Sequence, residues 1–599
     1  MSNQLTVSKL EIKTQLRQIF KTNHWSEDIF NHQNLTLSPP KQKNFGNLST
    51  NISLLAFSNI KENSFSSPLQ LAQFLSQKLN LSFCSKIESL KPGFINFYFN
   101  EKFLRKQLAD LINSIDKKDF GQGNKWDKKT VLFEFTDPNP FKIFHTGHLM
   151  NNIIGEALIK IIENQKAKVI RLSYQGDVGL HIAKCLYIWN KKNQHESQLN
   201  NSLEEKNLAE RNQFLGQCYV EGNQLYQDHE EIRPLINQIN KNIYQKKNDE
   251  YWQLYQKGRN WSLTYFDEIY QIINSHFDHY FFESEVGQNG LSIVKQFLGK
   301  VFKKSQNAII FPGSKHYLHD RVFINSLGLP TYEAKDLGLF KLKKEKFPNS
   351  NYSFILTANE TNEYFKVVFK ALEFIYPDEI KKTRHLSHGL MKFAHSKMSS
   401  RTGNVIPAID FINDLTNKAS KRMTNFSIID KSITNKKDIA KKIALATIKY
   451  ALLKQNLTKN VIFDEKKDLS FEGNTGPYLL YTYVRTLNVL KKANLTNRDF
   501  INSQTSLLKN NLSTEEKNLI AKFLEFEEIL EQACQNLSPH LLSEYLFSLS
   551  QNFNLLYNNL PILKSQYNQK ILRLQLTHAT KKILKKGLQI LGIKTVEMM

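Results

Sequence analysis

The chain has 599 residues, 41 % hydrophobic and 23 % charged, which suits a water-soluble protein of about three to five domains. Its 81 basic residues against 56 acidic ones leave a formal net charge of +25; the excess favours a polyanionic partner, nucleic acid first, with Lys-rich genome composition as the other explanation. The cysteines Cys84, Cys185, Cys218 and Cys534 form no CxxC pair, against a disulfide framework or Cys-based zinc site and in keeping with the cytoplasm, and neither a membrane-length apolar run nor a signal-peptide core is present.

Taken in chain order, apolar residues recur at helical spacing from Ser8 to Phe20. Pro39 and Pro40 open a polar loop. Phe94 to Phe99 reads as a strand, and Lys102 to Ile115 as a helix. A linker rich in Gly, Lys and Asp, Lys117 to Lys129, closes the first domain. A strand Val131–Phe135 follows, then a Pro-broken loop from Asp137 to Phe144. A helix opens around His148, with Leu149, Ile153, Ile154, Ala157, Leu158, Ile161 and Ile162 on one stripe. The strand Val169–Ser173 completes a βαβ unit of a parallel sheet. Residues 191–281 are polar and helical, as an insertion would be. The sheet is expected to resume at Asn307–Phe311 and Ser353–Thr357. From Asp438 onward only helices are expected.

The loop before the first helix of that unit ends in His145-Thr146-Gly147-His148. A helix N-terminus presents free N–H groups and partial positive charge, and so attracts phosphate. Two imidazoles beside it can donate to a triphosphate, and Gly147 admits close approach. The tetrapeptide resembles the HxGH motif of class I aminoacyl-tRNA synthetases. Downstream, Lys397-Met398-Ser399-Ser400-Arg401-Thr402-Gly403 is similar to the KMSKS loop of that class. Ser400 stands where a second lysine is usual, and Arg401 can supply charge instead.

The flanks resemble the arginyl-tRNA synthetases within the class. Glu134 to His148 is similar to their E/D-x-S-S-P-N-x-x-K-x-x-H-x-G-H run, with Thr136 and Asp137 replacing the paired serines. Gly176-Asp177-Val178-Gly179 resembles their GDWG segment, with Val for Trp. Pro330-Thr331-Tyr332-Glu333-Ala334-Lys335-Asp336 is similar to their P-T-Y-x-x-R/K-D. The resemblance implies that Glu134, Asn139, Tyr332 and Asp336 bind arginine. It implies that Lys142, His145, Gly147, His148, Lys397, Met398 and Ser399 bind ATP, with Lys142, His145, His148 and Lys397 catalytic. Tyr332 and Asp336 share a helix face, and a guanidinium needs carboxylates in a fork. Asn359 and Glu360 match a position near the substrate only weakly.

Asp468 to Tyr481 resembles the S-F-E-G-N-T-G-P-Y-L-Q-Y segment that opens the anticodon-binding bundle of the family, and Leu591 to Met599 resembles its C-terminus. Tyr478, Tyr481 and Arg485 are the expected tRNA-binding residues, with Tyr483 also considered; core packing remains the alternative for any one tyrosine. Asn96 is a weaker carry-over toward the active site. The resemblance thus implies an α/β multidomain protein. Residues 1–118 would form an N-terminal α+β tRNA-binding domain. Residues 119–435 would form a Rossmann-type parallel-sheet catalytic core, with the 191–281 insertion and the 397–403 loop. Residues 436–599 would form an all-α anticodon-binding bundle. It further implies an arginine–tRNA ligase that uses ATP with Mg2+ and no structural metal, needs tRNA for the adenylate step, and works as a monomer. A cysteinyl or methionyl enzyme would share both phosphate motifs but lacks the Asn139/Lys142 flank. A catalytically dead RNA-binding relative would have no use for intact His145, His148 and Lys397. A simple nucleotidyltransferase would have none for the helical C-terminal region.

Overall fold

The computed structural model describes residues 4–599 apart from 41, 43–44, 61–64, 197, 395–405, 426–434 and 495–510. The N-terminal domain opens with α1 (Gln4–Thr22). Strands β1 (Leu37–Ser38) and β2 (Leu48–Thr50), helix α2 (Pro68–Lys78), and strands β3 (Cys84–Leu90) and β4 (Phe94–Phe99) follow, and α3 (Glu101–Ser114) closes it. The four strands form an antiparallel sheet in the order β1-β2-β4-β3. Ile95, Phe97 and Phe99 alternate into the core, as the pleat of a strand requires. Asn96 lies on the opposite face, buried, and its amide oxygen accepts from Ser49 Oγ at 2.6 Å. That bond ties β4 to β2 within the sheet.

The central domain is built on five parallel strands in the order β12-β11-β5-β6-β7. In chain order they begin with β5 (Thr130–Glu134), α4 (Thr146–Glu163) and β6 (Lys168–Gln175). Four long helices follow: α5 (Leu180–His195), α6 (Leu208–Asp228), α7 (Arg233–Tyr244) and α8 (Glu250–Ile273). Next come β7 (His279–Phe282), α9 (Glu283–Gln296), β8 (Lys303–Ser305), β9 (Ala308–Phe311), β10 (Arg321–Ile324) and α10 (Tyr332–Lys346). The strand β11 (Tyr352–Ala358), α11 (Asn362–Ile375), β12 (Thr383–His388), β13 (Met391–Phe393) and α12 (Ala408–Asn425) complete the domain. The first strand, β5, sits in the middle. Later strands add on one side and then on the other, so a crevice opens at the carboxyl end of β5, where such sheets bind ligands.

Two sequence expectations about this domain are corrected. Asn307–Phe311 does not rejoin the parallel sheet: β9 belongs to a separate antiparallel sheet ordered β10-β9-β8. Gln306 and Asn307 both take positive φ (45° and 61°), which closes a two-residue hairpin between β8 and β9. The insertion does not run from 191 to 281. Helix α5 is continuous through His195, and Ile182, Leu186 and Trp189 on it pack against Leu215 and Trp261 in a core of the insertion's own. At the other end, His279–Phe282 is an edge strand of the parallel sheet.

The C-terminal region holds α13 (Lys436–Leu453), β14 (Val461–Phe463), α14 (Gly476–Ala493), α15 (Thr514–Leu524), α16 (Phe526–Gln535), α17 (Pro539–Asn559) and α18 (Tyr567–Ile590). It is helical except for β14, which pairs in parallel with β13 and ties the bundle to the core. This short strand corrects the expectation of helices alone. Among the described residues no helix is long and apolar enough to cross a membrane.

Candidate active site at the carboxyl end of the first parallel strand

The loop from β5 to α4 is held in an unusual shape. Thr136, Asp137 and Phe141 all have positive φ (77°, 41° and 66°), which costs non-glycine residues energy and persists only where neighbours enforce it. Here they do. Asn151 Oδ1 accepts from the Thr136 N–H at 2.6 Å, and Ser262 Oγ from the Phe141 N–H at 3.0 Å. Asp137 Oδ1 accepts from the Tyr174 N–H at 2.7 Å, and Asn139 Oδ1 from the Gly176 N–H at 3.0 Å. Asn139 therefore joins the loop to the GDVG segment. Within that segment Asp177, wholly buried, accepts from Arg259, Ser284 and Tyr255 and so fixes α8 against α9.

His145 caps α4. Its Nδ1 accepts from the Gly147 N–H at 3.0 Å, and His148 Nδ1 accepts from the His145 N–H at 3.3 Å. Both Nδ1 atoms are acceptors, so both rings carry their proton on Nε2. The rings stack with centroids 3.9 Å apart. Burial and the nearby Lys142 charge bring His145 down to about 4; burial, His145 and Lys142 hold His148 well below its ordinary range. At neutral pH this pair is two neutral N–H donors, not two cations. Lys142, its ammonium 5.2 Å from the Tyr219 ring centroid, is lowered by burial. Gly147 is needed for the cap itself, since a Cβ there would stand 2.8 Å from His145 Cε1. Lys397, Met398 and Ser399 lie outside the described residues. The chain beyond them returns to this turn: the Thr146 N–H donates to Ile406 O at 3.1 Å and the Ala408 N–H to Phe144 O at 2.9 Å.

A pocket of carboxylates adjoins the turn. Glu134 ends β5 and is buried, where its carboxylate pairs with Lys343 of α10. Two turns up that helix, Asp336 Oδ2 accepts from Tyr364 Oη at 2.6 Å. Burial, reinforced by the Glu134 charge, raises Asp336 to about 7 against the pull of the Tyr364 hydrogen bond. Asp137 is raised well above the carboxylate range, by burial first and Glu134 second. Glu134, Asp137 and Asp336 thus share one ammonium, that of Lys343, and the pocket is short of positive charge. Across it, buried Glu283 and Lys335 pair at 2.5 Å. Tyr332, 63 % exposed, sits at the mouth with Lys335 Nζ 5.2 Å from its ring centroid. The Tyr174 hydroxyl is buried beside these groups, without a hydrogen-bond partner among the described residues. The close crossing of α9 and α10 depends on two glycines: a Cβ on Gly290 would stand 2.0 Å from Ala334 O, and one on Gly338 2.2 Å from Val286 O. Half-buried Asn359 and exposed Glu360 follow β11 on the same edge of the sheet.

Glu134, Asn139, Lys142, His145, His148, Tyr332 and Asp336 are therefore brought to one crevice. Lys343, Glu283, Tyr174 and Tyr364 were not singled out from the sequence. The signal for Lys343 was its place seven residues after Asp336, on one helix face.

The C-terminal candidates form a second site. The Arg485 guanidinium lies between two rings, 4.7 Å from the Tyr481 centroid and 4.5 Å from that of Tyr557. It donates to Tyr481 Oη at 2.8 Å and to Asn554 Oδ1 at 2.6 Å. Tyr481, Arg485, Asn488, Tyr557 and Met599 line a cleft of about 450 Å3. The half-buried Tyr478 hydroxyl accepts from Asn554 Nδ2 at 2.9 Å. Tyr483 is 5 % exposed and packs in the core, so it presents no free ring. Tyr557 and Met599 were missed by sequence reasoning.

Comparison with known proteins covers the whole length. Residues 8–99 match the family described as the arginyl tRNA synthetase N terminal domain, residues 110–465 the class I (R) tRNA synthetase catalytic domain, and residues 479–599 the DALR anticodon binding domain. A protein named arginine–tRNA ligase from Borreliella afzelii is 30 % identical over 78 % of this chain and 80 % of its own length. One from Borreliella burgdorferi is 28 % identical over 98 % of each. The crystal structure of arginyl-tRNA synthetase from Plasmodium falciparum superposes with a TM-score of 0.76 at 22 % identity over 99 % of each chain. The solved structure described as Thermus thermophilus arginyl-tRNA synthetase superposes with 0.78 at 21 % over 100 % of each. A helix N-terminus crowned by two histidines, a cluster of buried carboxylates beside it, and three consecutive family matches agree: the chain belongs to the arginyl-tRNA synthetases of class I.

Proposed function

We propose that this chain activates arginine with ATP to arginyl-adenylate and transfers it to the 3′ end of the arginine tRNA, releasing pyrophosphate and AMP. The observation that carries the amino-acid assignment is the pocket in which Glu134, Asp137 and Asp336 share a single ammonium. A planar cation fits that deficit, and a site that must pair a guanidinium rejects side chains lacking one. In this reading the substrate guanidinium lies against Asp336 and Glu134, with Tyr332 at the mouth. Asn139 orients the backbone end of the amino acid.

The arginine carboxylate then attacks the α-phosphorus in line, and the bond to pyrophosphate breaks. Nε2–H of His145 and of His148, the α4 N-terminus, Lys142 and Lys397 stabilise the charge that grows on the phosphates. Met398 and Ser399 complete the nucleotide contacts. Mg2+ comes with ATP and neutralises part of its charge. A ribose hydroxyl of the tRNA next attacks the adenylate carbonyl and AMP leaves. Tyr481, Arg485 and Tyr478, joined by Tyr557, hold unstacked anticodon bases. The domains fall at 1–118, 119–435 and 436–599, and the protein acts as a monomer in the cytoplasm. Charging of arginine tRNA with labelled arginine tests this: arginine alone should be incorporated, and incorporation of another amino acid instead would overturn the assignment.

A further inference from the structure

At the far end of α4 from the histidines, two adjoining clefts of about 480 and 660 Å3 run between α4, the end of α8, α13 and the C-terminal tail. The helix has 18 residues, which places them about 27 Å from the catalytic turn. Seven lysines line the clefts against three carboxylates, Glu163, Glu268 and Asp438. Two of the three are committed elsewhere or locally: Glu163 accepts from Arg171 at 2.8 Å, and Asp438 pairs with Lys442 at 2.7 Å. Lys449 is buried, and its ammonium donates to Ile273 O at 2.8 Å and Gly592 O at 2.7 Å, with no carboxylate in hydrogen-bond contact among the described residues. Gly592 brings a second ammonium to the same point: a Cβ built on it would stand 3.5 Å from Lys160 Nζ and 3.6 Å from Lys449 Nζ. Lys160, Lys586 and Lys594 form no ion pair among the described residues. Burial, helped by the Lys160 charge, brings Lys449 down to about 7, and burial lowers Lys160 and Lys586 as well. Like charges have been gathered around a cavity, and the carboxylates that offset them, Glu156 beside Lys160 and Lys449 and Glu163 beside Lys160, are already paired with Arg171.

We propose that this cleft binds a run of phosphates, with Lys160, Lys442, Lys586 and Lys594 as donors and buried Lys449 as the charge behind them. The phosphates belong either to the backbone of bound RNA or to a free oligophosphate. The course of the tail favours RNA. From Gly592 it runs to Met599, which lines the cleft of Tyr481 and Arg485. Seven residues reach at most about 25 Å, so one polyanion could engage both. The source rests on the proposed tRNA reaction; the phosphate chemistry does not.

The test uses the full chain. Inorganic tripolyphosphate is titrated calorimetrically at low and high salt into the wild type, Lys160→Gln/Lys594→Gln and Lys142→Gln, the last to identify binding at the catalytic turn. The site predicts tripolyphosphate binding that survives Lys142→Gln and weakens about tenfold in the double variant. Lys594→Glu alone, at an exposed position, guards against misfolding and should weaken binding at least as much as loss of that one lysine. Affinity for arginine tRNA is measured in the same variants against salt. If the tRNA binds more weakly and the slope of log K on log salt falls by one to two (~0.9 per phosphate contact), the phosphates are the RNA backbone. If tripolyphosphate binding is lost and tRNA affinity is unchanged, the site serves a free oligophosphate. Unchanged binding of both overturns the proposal. A chain that charges no arginine but still loses tripolyphosphate in the double variant would fail the proposed function and keep this site.

Discussion

Arginine binding should release a proton, and Asp336 sets the pH at which it does. Burial and the adjacent Glu134 charge hold its carboxyl at about 7 when no substrate is present. A guanidinium pairs with the ionised form, so the proton must leave before the fork of hydrogen bonds closes. The sign follows: affinity rises as pH climbs through 7 and levels off above about 8. Between pH 8 and pH 6 the ionised fraction falls about tenfold, which weakens arginine about tenfold, or ~1.4 kcal/mol. Near pH 7 about half a proton is released per arginine bound. His145, already at about 4, contributes nothing in this window. Asp336→Asn removes a charge-assisted bond worth about 1.5–3 kcal/mol; arginine should bind roughly 10- to 150-fold more weakly, and the dependence between pH 6 and 8 should largely disappear. Calorimetric titration of arginine in two buffers of different ionisation enthalpy reads affinity and proton release together. Wild-type affinity flat from pH 6 to 8, or a slope that Asp336→Asn leaves unaltered, would refute the reasoning.

The same carboxylate costs the substrate-free fold stability. Its raised pKa makes the penalty grow as pH rises from about 4 through 7, so Asp336→Asn should raise Tm at pH 8 by about 2–4 °C, with the gain shrinking toward pH 4; a lower Tm at pH 8 contradicts this. Gly290→Ala drives a Cβ into Ala334 O and should cost about 1–3 kcal/mol in urea unfolding while raising the arginine KM, because α10 carries Tyr332 and Asp336. His148→Ala should lower kcat about 100- to 1000-fold with the arginine Kd unchanged. Tyr557→Ala, which removes one of the rings flanking Arg485, should weaken tRNA by about 1–3 kcal/mol and leave arginine binding alone.

What could be read from the chain was what is local. The βαβ unit at 130–175 has strong periodicity, and the groups expected at its turn meet in one crevice. Non-local features escaped. Glu134 looks like any strand residue until α10 folds over it and brings Lys343, more than two hundred residues away in sequence. The neutrality of His145 and His148 comes from burial and the neighbouring Lys142 charge, which spacing does not encode. Asn307–Phe311 was placed in the wrong sheet because a short apolar run fits either pairing, and the hairpin that decides it lies in two positive φ angles. The edge strand His279–Phe282 vanished into the insertion because four residues carry too little pattern to stand out after a 24-residue helix. Tyr483 and Tyr481 look alike in sequence, yet helix geometry turns one into the core and the other toward Arg485.

On the proposed function, the carboxylate pocket selects arginine for activation at the α4 turn. ATP–pyrophosphate exchange, run with each amino acid in turn and with and without arginine tRNA, tests it most directly. Exchange with arginine alone, appearing when the tRNA is added, is the predicted result. Exchange driven by any other amino acid, or none with arginine and tRNA together, would contradict the account.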